Sequence, residues 1–211
     1  MNGHMKPADI EKRSFAIITE ELGGRTFPDG VAEVVKRVIH TSADFDYADN
    51  MCFSPEAVEQ AKAALEAGAT IVTDTNMALA GISKPTLAKL GGKAVCLMAD
   101  EDVAREARTR GVTRATVSME HAAKLDGPLI FAIGNAPTAL IRLHELIREG
   151  AVSPALVIGV PVGFVNVVES KELFIGGDTP YIIARGRKGG SNVAAAIVNA
   201  LLYQIVKREG F

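Results

Sequence analysis

Apolar residues recur along this chain in two rhythms. Five short runs, over residues 69–73, 94–98, 129–133, 155–160 and 181–184, are β-branched and nearly continuous, without alternation. Strands buried on both faces read this way. Between them the apolar positions return every three or four residues, predicting helices over 54–67, 84–90, 101–110, 116–125, 137–149 and 193–207. Two further helices, over 7–22 and 29–39, precede the first run, the second carrying Val31, Val34, Val35, Val38 and Ile39 on one stripe. Ser54-Pro55-Glu56 and Ser83-Lys84-Pro85 read as N-caps with proline in the first turn. Gly68, Gly91, Gly111 and Gly150 follow helical segments as C′ residues do. Strands alternating with helices imply a three-layer α/β/α fold with a mainly parallel sheet. No linker, low-complexity stretch or internal repeat interrupts the pattern, so residues 1–211 read as one domain. Met1–Met5 (MNGHM), at its start, are expected to be disordered, which makes His4 a poor functional candidate.

Composition narrows the partners. Hydrophobic residues make up 48% and charged residues 23%, as in an ordinary globular protein. A formal net charge of −2 argues against nucleic acid or an anionic membrane surface as partner. Any anionic ligand must then be met by a few local arginines. The two cysteines, Cys52 and Cys96, have no metal-ligand spacing and are expected to be buried thiols in a reducing compartment. No apolar run approaches the ~20 residues of a membrane span, and the N-terminus lacks a signal-peptide core, so a cytoplasmic location is expected.

In an open parallel sheet, ligands bind beyond the carboxyl ends of the strands. Here those ends run into Thr73-Asp74-Thr75-Asn76-Met77, Gly134-Asn135-Ala136-Pro137, Gly159-Val160-Pro161-Val162-Gly163-Phe164-Val165-Asn166 and Arg185-Gly186-Arg187-Lys188-Gly189-Gly190-Ser191-Asn192. Each by itself is ordinary turn chemistry. Together they predict a broad crevice of small residues, amides and hydroxyls, suited to a large planar ligand. The last loop joins three cations to a helix N-terminus, which favours carboxylates or phosphates over a solvated basic turn. It lacks the GxxxxGK[ST] spacing, and no GxGxxG opens a helix after the first strand, which disfavours a nucleotide. Asp44, Asp46 and Asp74 show no paired metal-ligand spacing and read as hydrogen-bonding residues.

One histidine stands out. In Arg37-Val38-Ile39-His40-Thr41-Ser42-Ala43-Asp44, the helical pattern stops at His40, one turn after an arginine and beside hydroxyls. The negative end of the helix dipole favours imidazolium, a usable acid near neutrality. The same position suits a surface C-cap histidine. His121 and His144 read as surface or packing residues, Met77 and Met98 as core, and Glu169-Ser170-Lys171-Glu172 as a solvated helix face.

Taken in order, RVIHTSADFD, TDTNMALAGI, GNAPTAL, GVPVGFVNVVESKE and ARGRKGGSNVAAAIVNAL resemble the precorrin-8X methylmutase family, from about Arg13 to Leu202. That family comprises isomerases of corrin (cobalamin) biosynthesis. The resemblance implies an α/β/α homodimer that moves a methyl group from C-11 to C-12 of precorrin-8X or cobalt-precorrin-8. The product would be hydrogenobyrinate or cobyrinate. It maps the catalytic histidine onto His40 and substrate contacts onto Ser14 and Arg37. Thr41, Thr75, Asn76, Asn135, Arg185, Arg187 and Lys188, from the helix end and the strand-end loops, complete the candidate substrate-binding set. Neither cofactor nor metal is expected, because a sigmatropic methyl shift needs only a change in the ring's electronic structure. Two other classes fit parts of the pattern: a non-catalytic carrier of a corrinoid intermediate, and a nucleotide-dependent α/β enzyme. The Val193–Tyr203 stretch, apolar nearly all round, must be buried in the core or against a second chain.

Overall fold

The computed structural model describes residues 7–207; the expectation for Met1–Met5 lies outside them. A six-stranded sheet forms the middle layer, in the order β1-β6-β5-β4-β2-β3. Its strands are β1 (Met51–Phe53), β2 (Thr70–Thr73), β3 (Lys93–Val95), β4 (Leu129–Ile133), β5 (Leu156–Gly159) and β6 (Tyr181–Ala184). All neighbours pair in parallel except β1, which runs antiparallel to β6 with Met51 opposite Ala184.

Why the apolar runs are continuous is visible in their packing. Every residue of β2, β4, β5 and β6 is buried. Successive residues serve opposite faces, as the pleat requires. Ile71, Ile130, Ile158 and Ile182 join one core. Val72, Phe131, Val157 and Ile183 join the other. The first core is covered by α1 (Pro7–Glu21), α2 (Val31–Ser42), α4 (Ala57–Glu66), α5 (Asn76–Gly81), α6 (Lys84–Lys89) and α11 (Ser191–Ile205). The second is covered by α8 (Arg114–Ala122), α9 (Pro137–Arg148) and Phe174 and Ile175 just after α10 (Val167–Glu172). The three-layer α/β/α architecture is therefore the observed one. α11 buries Val193–Val198 and Ala200–Leu202 in the first layer, so its apolar surface is largely used within the chain.

Several local expectations are corrected. α2 does not stop at His40 but runs through Ser42, closing with Ala43 in the left-handed region at φ 53° and its N–H on Ile39 O. Ser42 Oγ donates back to Val38 O at 2.7 Å, so its hydroxyl extends the helix instead of ending it. Ser54 does not cap α4; its Oγ accepts from Tyr181 N–H at 3.0 Å and ties the β1 exit to β6. Ser83 does stand at the N-cap of α6 with Pro85 in the first turn, though its hydroxyl meets the Thr86 hydroxyl and not a backbone amide. The edge strand β1 and the short helices α3 (Tyr47–Asn50) and α5 were not foreseen. Cys52 and Cys96 are half-buried free thiols, and Met77 is 71% exposed, not core. No helix among the described residues is long and apolar enough to cross a membrane.

Candidate active site

Because β2, β4, β5 and β6 are parallel, the four glycine- and asparagine-rich loops leave the sheet at one edge. The antiparallel β1 brings a fifth segment there. Arg185 N–H donates to Asn50 O at 2.8 Å, so the connection from α2 through α3 arrives beside the loop after β6.

Between β2 and β4 the chain reverses direction across the sheet, the position where such folds open a crevice. Asp74 occupies it. Its carboxylate, 1% exposed, accepts the N–H groups of Gly134 (2.9 Å), Asn135 (2.8 Å) and Ala136 (2.6 Å). Burial pushes this carboxyl up, and the three amides pull it back. The loop then packs backbone to backbone on the start of α11. A Cβ on Gly134 would stand 2.7 Å from Ser191 Cα and 2.8 Å from Gly190 O. Thr75 caps α5 through Ala78 N–H and meets Ser191 Oγ at 2.7 Å. Asn76 and Asn135 are exposed at the same edge.

His40 lies three residues before the left-handed turn, exposed, with its ring stacked on Phe15 of α1 (centroids 5.2 Å apart, planes 16° from parallel). Arg37 lies over the same Phe15 ring, 4.7 Å from its centroid, and 5.2 Å from that of Tyr203. Its guanidinium donates to Glu11 at 2.6 Å. Phe15, Arg37 and Tyr203, with Lys12, Lys36 and Lys207, line a groove of about 440 Å³ between α1, α2 and α11. His40 meets this groove through Phe15. Ser14, one residue away, is half-buried and its hydroxyl donates to Ile10 O. Thr41 is exposed beside His40.

The loop after β6 is the third part. Lys188 Nζ donates to Asp44 and Asp46, each at 2.6 Å, fastening this loop to the segment that follows His40. The ammonium holds the Asp44 carboxyl below its usual range. Lys188 is thus an internal bridge as well as a candidate contact. Arg187 lies 5.5 Å from the ring of Phe164, which is 82% exposed in the loop after β5. Arg185 is exposed, 3.7 Å from Glu172. Lys188 therefore ties the loop after β6, which carries Arg187, to the Asp44–Asp46 segment that follows His40 along the chain. Arg37 lines the groove between α1, α2 and α11, with Ser14 beside Phe15 on α1, and Thr75, Asn76 and Asn135 lie at the switch point.

Two residues escaped the sequence reading. Phe164 was only part of a loop, and Lys171 was assigned to a solvated face. Lys171 is instead wholly buried, its Nζ donating to Gly186 O and Lys188 O. The signal was present: Val167, Ser170, Lys171 and Phe174 are spaced i, i+3, i+4, i+7, and all four are buried.

The family model for precorrin-8X methylmutase matches residues 9–204. The chain belongs to the precorrin-8X methylmutase family. It is 47% identical over 207 residues to the cobalt-precorrin-8 methylmutase of Salmonella typhimurium, covering 95% of this chain and 96% of that one. It is 46% identical over 197 residues to the cobalt-precorrin-8 methylmutase of Priestia megaterium, covering 93% and 88%. The crystal structure of precorrin-8X methylmutase from Thermus thermophilus superposes with a TM-score of 0.84 at 42% identity, covering 92% and 94%. As a methylmutase, the chain is an isomerase that moves a methyl group within one molecule. Among the described residues, no three His, Cys, Asp or Glu side chains gather as metal ligands would.

Proposed function

We propose that this methylmutase converts precorrin-8X, or its cobalt counterpart, to hydrogenobyrinate or cobyrinate by moving the methyl group from C-11 to C-12. His40 lends a proton to the macrocycle and recovers it after migration. A protonated ring nitrogen makes the conjugated system electron-poor, which lowers the barrier to a sigmatropic shift. No atom is gained or lost, as an isomerisation demands. Acid–base assistance of this kind contributes about 10²–10⁴-fold in rate; holding the ring in a product-like shape supplies the rest. The observation that carries the reading is the placement of His40. Its imidazole is exposed, braced face-on by Phe15, and its helix leads directly into the rim fastened by Lys188.

The substrate's acidic side arms find cations around that rim. Arg187 and Arg185 approach from the loop after β6. Arg37 accepts a substrate carboxylate in exchange for Glu11, since one carboxylate can replace another on a guanidinium. Phe164 offers an exposed aromatic face to the ring itself. Thr41, Thr75, Asn76, Asn135 and Ser14 supply neutral hydrogen bonds. The enzyme works as a homodimer in the cytoplasm, on this reading. In a single-turnover assay with precorrin-8X, His40→Ala loses conversion while still binding hydrogenobyrinate. Full activity in that variant removes the mechanism. A wild-type protein that binds product without converting substrate would be a carrier.

A further inference from the structure

The loop after β6 is gripped from beneath by a buried ammonium that the methyl shift does not itself use. Lys171, on α10, donates from Nζ to Gly186 O at 2.7 Å and to Lys188 O at 2.9 Å. The carbonyl between them, that of Arg187, accepts from Gly163 N–H at 3.2 Å. Every described peptide bond here is trans, so each planar unit carries its N–H on the side opposite its C=O. The amides of Arg187 and Gly189 therefore point away from the Lys171 ammonium. Among the described residues neither amide has a hydrogen-bond acceptor. The Arg187 guanidinium starts from between them.

We propose that Lys171 is a positioning residue for substrate binding: by holding two carbonyls it turns the Arg187 and Gly189 amides, with the Arg187 side chain, toward one carboxylate of the acidic macrocycle. The proposal rests on the reading that this loop faces the macrocycle. Glycine-rich backbone has many alternative conformations, and Gly186 already stands at φ 74°. Without a cation beneath, the 186 and 188 carbonyls would be left unpaired next to the apolar surroundings of α10, and the peptide planes would turn to find donors. Burial lowers the ammonium to about 8, so near pH 7 it is still charged and both carbonyls face a full cation. Nothing in the loop replaces it: Lys188 Nζ is directed to Asp44 and Asp46.

The test uses Lys171→Met, Lys171→Gln, Arg187→Ala and the double variant Lys171→Met/Arg187→Ala. Folding is checked by urea denaturation, product affinity by absorbance titration with hydrogenobyrinate, and kcat and KM with precorrin-8X. The expected result for Lys171→Met is a product Kd and a KM raised about tenfold, the weight of one charge-assisted contact. Its kcat should stay within about threefold. Lys171→Gln, which keeps N–H donors, recovers part of the affinity. Adding Arg187→Ala to Lys171→Met costs little more, because a displaced Arg187 has already lost its contact. A folded Lys171→Met protein with unchanged affinity, or effects that simply add, overturns the proposal. If Lys171→Met does not fold, Lys171→Gln carries the same measurements. A wild-type chain that fails to bind hydrogenobyrinate defeats the underlying functional reading; a wild type that binds, with Lys171 variants unaffected, defeats the Lys171 proposal alone.

Discussion

Replacing Asp74 by Asn tests whether the switch point is held by charge or by shape. The two side chains are nearly isosteric, so packing is unchanged and the hydrogen bonds are isolated. In the wild type one carboxylate oxygen accepts from Gly134, and the other accepts from Asn135 and Ala136. An asparagine has a single carbonyl oxygen. In its better orientation it keeps the Asn135 and Ala136 bonds, now without charge assistance. Its NH₂ group then faces the Gly134 N–H, and a buried donor is left unpaired at about 1–3 kcal/mol. Losing the charge from the remaining two bonds adds about 1 kcal/mol. Relief of charge burial, the force that raises this carboxyl, offsets part of the loss. The net expectation is a loss of roughly 1–3 kcal/mol, dominated by the unpaired amide. Urea denaturation at pH 7 measures it, with hydrogenobyrinate titration reporting whether Asn135 has moved. A variant within about 0.5 kcal/mol of wild type, the range of ordinary surface changes, would show that the amides have another acceptor and refute the argument.

Other substitutions probe the neighbouring parts. Lys171 is lowered to about 8 in the folded chain and returns to its ordinary value near 10.4 on unfolding, so the unfolded state binds more protons between them. Wild-type stability relative to Lys171→Met therefore rises with pH across that window, by at most about 3 kcal/mol; urea titrations at pH 7.5 and 10 that show no divergence contradict a buried ammonium. Gly134→Ala forces a methyl against the Ser191 and Gly190 backbone and should cost about 1–3 kcal/mol by the same denaturation measurement, whereas a neutral result means the α11 start yields freely. Phe15→Ala removes the face that braces His40 and the cation–π partner of Arg37, and kcat/KM should fall about fivefold to tenfold; unaltered kinetics would detach Phe15 from the site.

What the chain discloses in advance depends on whether a feature is local. The buried strands were legible because both faces of β2, β4, β5 and β6 are covered, leaving no polar alternation to confuse the pattern. β1 was not, since its three half-buried residues gain their strand identity from pairing with β6, a partner 129 to 133 positions away. The end of α2 was misplaced for a chemical reason: Thr41 and Ser42 look like helix terminators, but the Ser42 hydroxyl satisfies Val38 O from inside the last turn. His40 and the strand-end loops could be nominated from residue type and position. That Lys188 would be occupied by two aspartates from the segment after α2 could not, because 142 and 144 residues separate them. Lys171 marks the opposite failure, a local signal overridden by the habit of placing lysine in solvent.

The buried charges at the sheet edge assign opposite polarities to its two halves. At the switch point, the Asp74 anion takes up three consecutive N–H groups, the same donors that would otherwise greet a phosphate. That half of the crevice is thereby closed to anions, and a nucleotide would meet a buried carboxylate where its phosphates should go. Under the loop after β6 the Lys171 cation takes up carbonyls instead, which leaves amides facing outward beside two arginines. On the proposed function, a ligand carrying many carboxylates would be drawn to the second half, next to the segment that follows His40. Each buried ion is neutralised mainly by backbone dipoles and not by an opposite side-chain charge, so its effect on the loop above it is directional. Exchanging the two polarities would require new loops. Adjusting the exposed arginines would only tune how tightly the side arms are held.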